Sequence, residues 1–303
     1  MVQHFLRSAD RKECDASKDA GNLLRRAKCE WNFAKQNSSN IPADHCDQLM
    51  DMKLGISTWA YLDLPLDQAL DRISMLSARA EILCEGRHSL FRPENLDIAS
   101  FYSLKYSIHG PIADINIASI YHEFREASVN LHRRAIAAGA AIGAELYIIH
   151  PGYTPWSFCW GDALTCLYQS LSELAPLQDE LGISLAVENM PKSEWLFFKK
   201  PDLDLHGLGL VLDIGHAHTC GTLQEFLGHP ALIHVHLHDN SGEGDEHLAL
   251  GQGGIDLMPV LKKIRESGLT AALEQKSEAA VVESLAVLNR MHKTEEPICQ
   301  SRS

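Results

Sequence analysis

Nowhere in the 303 residues is there a run approaching the roughly 20 consecutive apolar residues that a membrane-spanning helix needs. A membrane partner is therefore not expected. The first residues lack the apolar core of a secretory leader, because Arg7, Asp10, Arg11, Lys12 and Glu13 interrupt it, and a cytoplasmic location is the expectation. The eight cysteines, at 14, 29, 46, 84, 159, 166, 220 and 299, include no CxxC pair. That spacing argues against a thiolate zinc site or a disulfide framework and for reduced thiols. Basic charge is also scarce. Lys and Arg total 27 against 40 Asp and Glu, a net charge of −13. Residues 1–52 hold 8 of each sign, which leaves 27 − 8 = 19 basic against 40 − 8 = 32 acidic groups beyond them. Such a surface repels polyanions and favours a small substrate over broad nucleic-acid binding.

What the chain does have is a regular alternation from Lys53 onward. Apolar runs at 53–58, 80–85, 104–109, 145–150, 184–189, 208–213, 232–238 and 270–275 read as strands. Amphipathic stretches at Pro65 to Leu76, Ser119 to Ile142, Asp162 to Leu181, Leu257 to Glu266 and Glu278 to Met291, with a weaker one at Pro93 to Leu104, supply crossover helices. Strands that alternate with helices this regularly are parallel, and eight of them close into an α/β (β/α)8 TIM barrel. No Gly-rich phosphate turn follows the first strand, where Ser57-Thr58-Trp59 stands instead, so an open dinucleotide-binding sheet is disfavoured. The expected organisation is one catalytic barrel over 53–292, preceded by a poorly ordered extension over 1–52 and followed by a tail over 293–303. Met52 directly precedes the first strand and is expected to be the biological start, an expectation that an intact mass including residues 1–51 would refute.

In a parallel barrel the active site forms at the C-terminal ends of the strands. Here those ends carry His109, His150, Glu188, Asp213 with His216, the trio His234, His236 and His238, and Glu274, while the loop after strand seven adds Asp245 and His247. A lone buried histidine is ordinarily a hydrogen-bonded core residue. Six consecutive strand ends bearing such residues point instead to a shared cation. Imidazoles and carboxylates without thiolates suit Zn2+ or Mn2+. Alternation sends all three strand-seven histidines into the barrel; His236 is the expected ligand, His234 a deeper packed residue and His238 a supporting or substrate contact. His216 is preferred over His218. Trp59, Trp156, Trp195 and Lys276, in loops at the same end, are candidate substrate contacts.

The pieces SIHGP, IIHPG, VENM, LDIGH, HVHLHDN, DEHLALGQG and LEQK resemble the endonuclease IV and xylose isomerase-like TIM-barrel superfamily, over Lys53 to His292. The resemblance implies metal ligands at His109, His150, Glu188, Asp213, His216, His236, Asp245, His247 and Glu274, holding up to three Zn2+. It implies phosphodiester hydrolysis, with abasic DNA as one substrate. The sugar isomerase branch implies a different use: Glu188, Asp213, His236 and Glu274 around one Mn2+, Mg2+ or Co2+, with Glu188 and Glu274 as the catalytic acid–base pair. Ile112 stands where the endonuclease branch has tyrosine, Glu246 replaces its arginine, and the loop from His236 to Asp245 is short. These departures remove expected DNA contacts and make a small phosphorylated or sugar substrate the competing reading.

Overall fold

A computed structural model describes residues 52–295; the extension over 1–51 and the tail from 296 lie outside the described residues. Eight strands form a closed parallel barrel in sequence order: β1 (Lys53–Ser57), β2 (Arg79–Leu83), β3 (Lys105–His109), β4 (Leu146–Ile149), β5 (Ser184–Glu188), β6 (Gly209–Asp213), β7 (Leu232–Leu237) and β8 (Thr270–Leu273). The helices around it are α1 (Leu66–Ser74), α2 (Pro93–Phe101), α3 (His122–Ala141), α4 (Trp160–Leu174), α5 (Leu177–Leu181), α6 (Ile214–Cys220), α7 (Leu223–Leu227), α8 (Leu257–Ser267) and α9 (Glu278–Glu295). Among these described residues no helix is long and apolar enough to cross a membrane.

The strands agree with the alternation read from sequence to within one or two residues at their ends, because β-branched and leucine-rich runs buried on both faces leave little freedom of assignment. The crossovers differ more. The single helix expected over Asp162 to Leu181 is two, α4 and α5, parted at Ala175-Pro176; proline has no N–H to continue the ladder and clashes with the preceding turn. Between β5 and β6 no α-helix forms among residues 189–208, and the chain crosses as a loop. A helix ahead of β8 ends cleanly because Gly268, at φ 61°, closes α8 with its N–H on the carbonyls of Arg265 and Ile264.

Alternation along each strand divides the barrel lumen from the layer beneath the helices. The outer layer is the large apolar core, where side chains such as Ile82, Tyr106, Tyr147, Leu212 and Val235 meet Leu70, Ile136, Leu167 and Val260 of the helices. Within the lumen a small apolar group, Leu146, Ile148, Ala186 and Val211, covers only the β4 to β6 side. On the facing side the register sets Ser57 beside Glu81 and Glu81 beside Ser107. A barrel interior is normally filled by branched aliphatic residues, so a fully buried glutamate there calls for partners.

Candidate active site

The barrel closure brings all nine expected ligands to one end. Glu188, the last residue of β5, is the hub: its Oε2 lies 3.2 Å from His109 Nε2 and 3.1 Å from His150 Nε2, and its Oε1 lies 3.0 Å from His236 Nδ1. His236 Nδ1 is also 3.4 Å from Glu274 and 3.7 Å from Asp213. Beside this group His216 Nε2 stands 3.3 Å, and His247 Nε2 3.0 Å, from Asp245 Oδ2. Glu188, Asp213, His236 and Glu274 can each offer an atom such that all four lie within 4.8 Å of one another, and all four are buried.

Local backbone explains how the loop residues arrive. The segment after β7 returns on itself, with Asp239 and Leu248 exchanging both backbone hydrogen bonds at 3.0 and 2.8 Å. Asp239 fastens it by accepting from the N–H groups of Asn240, Gly251 and Ile255. His247 is held there at φ 55°, a left-handed conformation that a residue with a Cβ adopts only when its surroundings enforce it. His238 needs room of another kind. Its ring lies where any Cβ on Gly215 would collide with it, and its Nε2 sits 2.9 Å from both oxygens of Asp213.

The tautomers decide what the cluster can hold. His109, His216 and His247 each donate Nδ1–H to a backbone carbonyl, of Gly110 at 3.0 Å, Asn189 at 2.7 Å and Glu274 at 2.7 Å. The neutral imidazole then carries a bare lone pair on Nε2, aimed at a carboxylate oxygen. Two lone pairs repel, so each such contact needs a proton or a metal cation between them. Oδ1 of Asp245 is buried with no hydrogen-bond partner at all. This is the arrangement of metal-binding histidines, whose second nitrogen is fixed by a carbonyl or carboxylate behind the ring, and the donor set fits a divalent ion such as Zn2+ or Mn2+.

Without a metal, protons fill that role. Burial alone would lower His109 and His216, but Glu188 facing the first and Asp213 with Asp245 facing the second outweigh it, raising them to about 9 and about 10. The two glutamates diverge. Burial raises Glu188, yet His236 and His150 hold it well below the usual carboxylate range; burial raises Glu274, and the charge of Glu188 pushes the same way against His236. A pair of carboxyls whose affinities for a proton are driven apart is the setting for acid–base chemistry.

The remaining candidates occupy the rim. Trp59 packs its ring 4.4 Å from that of His247, and the Lys276 ammonium lies 5.5 Å from the Trp59 ring centre while reaching the carbonyls of Asp245 and Glu246. Trp156 and Trp195 are both exposed, on loops joined by a bridge between Tyr153 and Leu196. His218 binds Asn240 Oδ1 at 2.7 Å, a structural tie. His234 is buried one layer deeper. One residue escaped the sequence reading altogether: Glu81, whose carboxylate contacts Ser107, His234 and His236. A charged residue in the middle of the run Arg79–Leu83 was the available signal.

A family model described as xylose isomerase-like TIM barrel matches residues 94–291. The chain belongs to this family. An uncharacterized protein of Methanocaldococcus jannaschii is 33% identical over 230 residues, 74% of this chain and 92% of its own length. The fructoselysine 3-epimerase of Shigella flexneri is 25% identical over 244 residues, 72% of this chain and 87% of that enzyme. Among solved structures, a D-tagatose 3-epimerase-like protein superposes with a TM-score of 0.73 at 30% identity, covering 80% of this chain and 98% of that one. These xylose isomerase-like relatives favour the isomerase reading of the cluster over the phosphoesterase one.

Proposed function

We propose that the protein is a divalent-cation-dependent epimerase of small sugars, acting at a carbon next to a carbonyl. The observation that carries this is the set Glu188, Asp213, His236 and Glu274, buried together at the barrel mouth with donor atoms within 4.8 Å. These four residues would hold the cation, which when bound compensates negative charge on the substrate oxygens. Glu188 and Glu274 do the proton work: one carboxylate takes the proton from the carbon beside the carbonyl, the C–H electron pair forms a carbon–carbon double bond, and the carbonyl pair moves onto oxygen. The other carboxyl then returns a proton to the opposite face, so the configuration inverts with no net oxidation. Trp59 and Lys276 stand where a sugar ring and its hydroxyls would meet the rim.

The test is incubation of the metal-loaded protein with D-fructose, D-tagatose and fructosamine-type ketosugars in deuterated water. Epimer formation with deuterium at the inverted carbon is expected. Absence of exchange on all of them, under loading that is verified by metal analysis, refutes the reading. Phosphate-ester hydrolysis keeps one observation in its favour, since His109, His150, His216, Asp245 and His247 exceed what one ion requires. Nicking of an abasic-site duplex with about three zinc ions per chain would establish it instead.

A further inference from the structure

His236 differs from the other histidines at the mouth in what stands behind its ring. His109, His216 and His247 rest their rear nitrogen on a backbone carbonyl. His236 turns Nδ1 toward Glu188, Glu274 and Asp213, and its rear nitrogen, Nε2, lies 3.1 Å from Glu81 Oε1, an ion-pair contact in which neither atom completes a hydrogen bond. Both residues are inaccessible to solvent. Glu81 is in turn fixed from two other sides: the Ser107 hydroxyl donates to its Oε2 at 2.8 Å, and His234 Nε2 lies 3.2 Å from the same oxygen. His234 is anchored through Nδ1 to the Thr270 hydroxyl at 2.6 Å.

Glu81, His234 and His236 also have the residue types of a metal site, so two readings compete. An imidazole that gives its Nδ1 lone pair to a cation at the mouth keeps its proton on Nε2, and that proton excludes a second cation from the same nitrogen. A buried carboxylate that receives the proton needs no further charge. We infer that Glu81 is a positioning residue, which sets the tautomer and orientation of His236 so that Nδ1 is presented to the metal at the barrel mouth. A carboxylate behind a ligating imidazole also makes the imidazole a stronger donor. Ser107 and His234 keep the Glu81 carboxylate in the plane where it can act.

This inference rests on the metal-dependent reading of the mouth, and its test separates the two. Mn2+ and Co2+ affinities are measured by chelator competition for the wild-type protein, Glu81→Gln and Ser107→Ala, along with the visible spectrum of the Co2+ form and the melting temperature of each metal-free protein. Glu81→Gln should lose about 10- to 100-fold in metal affinity and change the Co2+ spectrum, with a smaller loss in the same direction for Ser107→Ala. Failure of the wild-type protein to bind either ion overturns the mouth reading itself. Wild-type binding with unchanged affinity and spectrum in Glu81→Gln overturns the role of Glu81 alone. A merely structural glutamate would lower the melting temperature and leave metal affinity in place. Should Glu81→Gln fail to fold, Ser107→Ala decides, since a Ser107→Ala protein that binds both ions like the wild type rejects the proposal. A bound ion that is lost from the count in His234→Gln would also overturn it, because it would place a metal in the lower layer.

Discussion

At the lower end of the barrel Arg79 and Lys105 share Glu145 in contact with water, whereas at the upper end Glu188, Asp213 and Glu274 are shut away among histidines. The same strands build both. A cavity of about 450 Å3 opens at the lower end between Lys53, Arg79, Lys105, Ser107, His234 and Thr270, and its charges are half solvated. Ion pairs of that kind contribute about 0.2–1 kcal/mol. The upper carboxylates have surrendered their hydration, and they recover it only through protons or a metal. Position along a strand thus decides whether a charge is tolerated or put to use. Glu81 and His234 form the layer where one regime passes into the other.

The comparison breaks first, and most visibly, at Glu188. Replacing it with Gln removes one of the two proton-transferring carboxyls, and turnover of the ketosugar that proves to be the substrate should fall by about 100- to 10,000-fold. The same assay on Glu145→Gln should show wild-type turnover. A lower-end variant that proves equally damaging would erase the distinction between the ends.

Removing metal is expected to act on the upper end alone. With free metal at about 100 times its Kd, binding stabilises the fold by about 2.7 kcal/mol, which corresponds to roughly 5–10 °C in Tm for a domain of this size. Thermal melts in chelator and in excess Mn2+, Co2+ or Zn2+ measure this, and melts that coincide would show that nothing is held at the mouth.

Proton occupancy sharpens the contrast further. In the metal-free protein His109 and His216 are raised to about 9 and about 10, so between about pH 6.5 and 10 these two groups hold more protons in the folded chain than in the unfolded one. Their contribution is complete below about pH 6.5 and is lost as pH climbs through 9 and 10. A cation held by Glu188 and Asp213 offsets the carboxylate charge that raises both imidazoles, so the loaded protein should lose less stability over the same alkaline rise. Melts between pH 6.5 and 10, with and without metal, should diverge; parallel curves would contradict the assignment.

The smallest effect belongs to the lower end. Arg79→Ala breaks a partly exposed pair and should cost about 1 kcal/mol or less, read as a Tm shift of no more than about 4 °C, with metal content unchanged. A loss of metal in this variant would mean that the lower charges reach the mouth through His234.

Much of this molecule was legible in advance, and the reason differs from residue to residue. Strand ends such as His109, Glu188 and Asp213 stood out because a polar residue closing an apolar run is visible in a window of six residues. His236 was separable from His234 by its place two residues nearer the C-terminal end of the strand, where the mouth of a parallel barrel lies. Glu81 was not, since nothing near it in sequence shows that β2 sets it beneath a histidine 155 positions later. The helix expected through Ala175-Pro176 failed for a local reason that the sequence did contain. The loop crossing from β5 to β6 agrees with the sequence reading, which placed no helix there, whereas the short helices α6 and α7 ahead of β7 went unread.

What the amino-acid order determined by itself was the alternation of strand and helix, the inward parity of each strand and the inventory of imidazoles and carboxylates at one end, all of which follow from periods of 2 and 3.6 residues. Which nitrogen of each histidine carries the proton was decided only when barrel closure laid the carbonyls of Gly110, Asn189 and Glu274, and the carboxylate of Glu81, behind those rings. Those contacts join residues from different strands and loops, and they depend on the tilt and register of the closed sheet, which no short stretch of chain encodes.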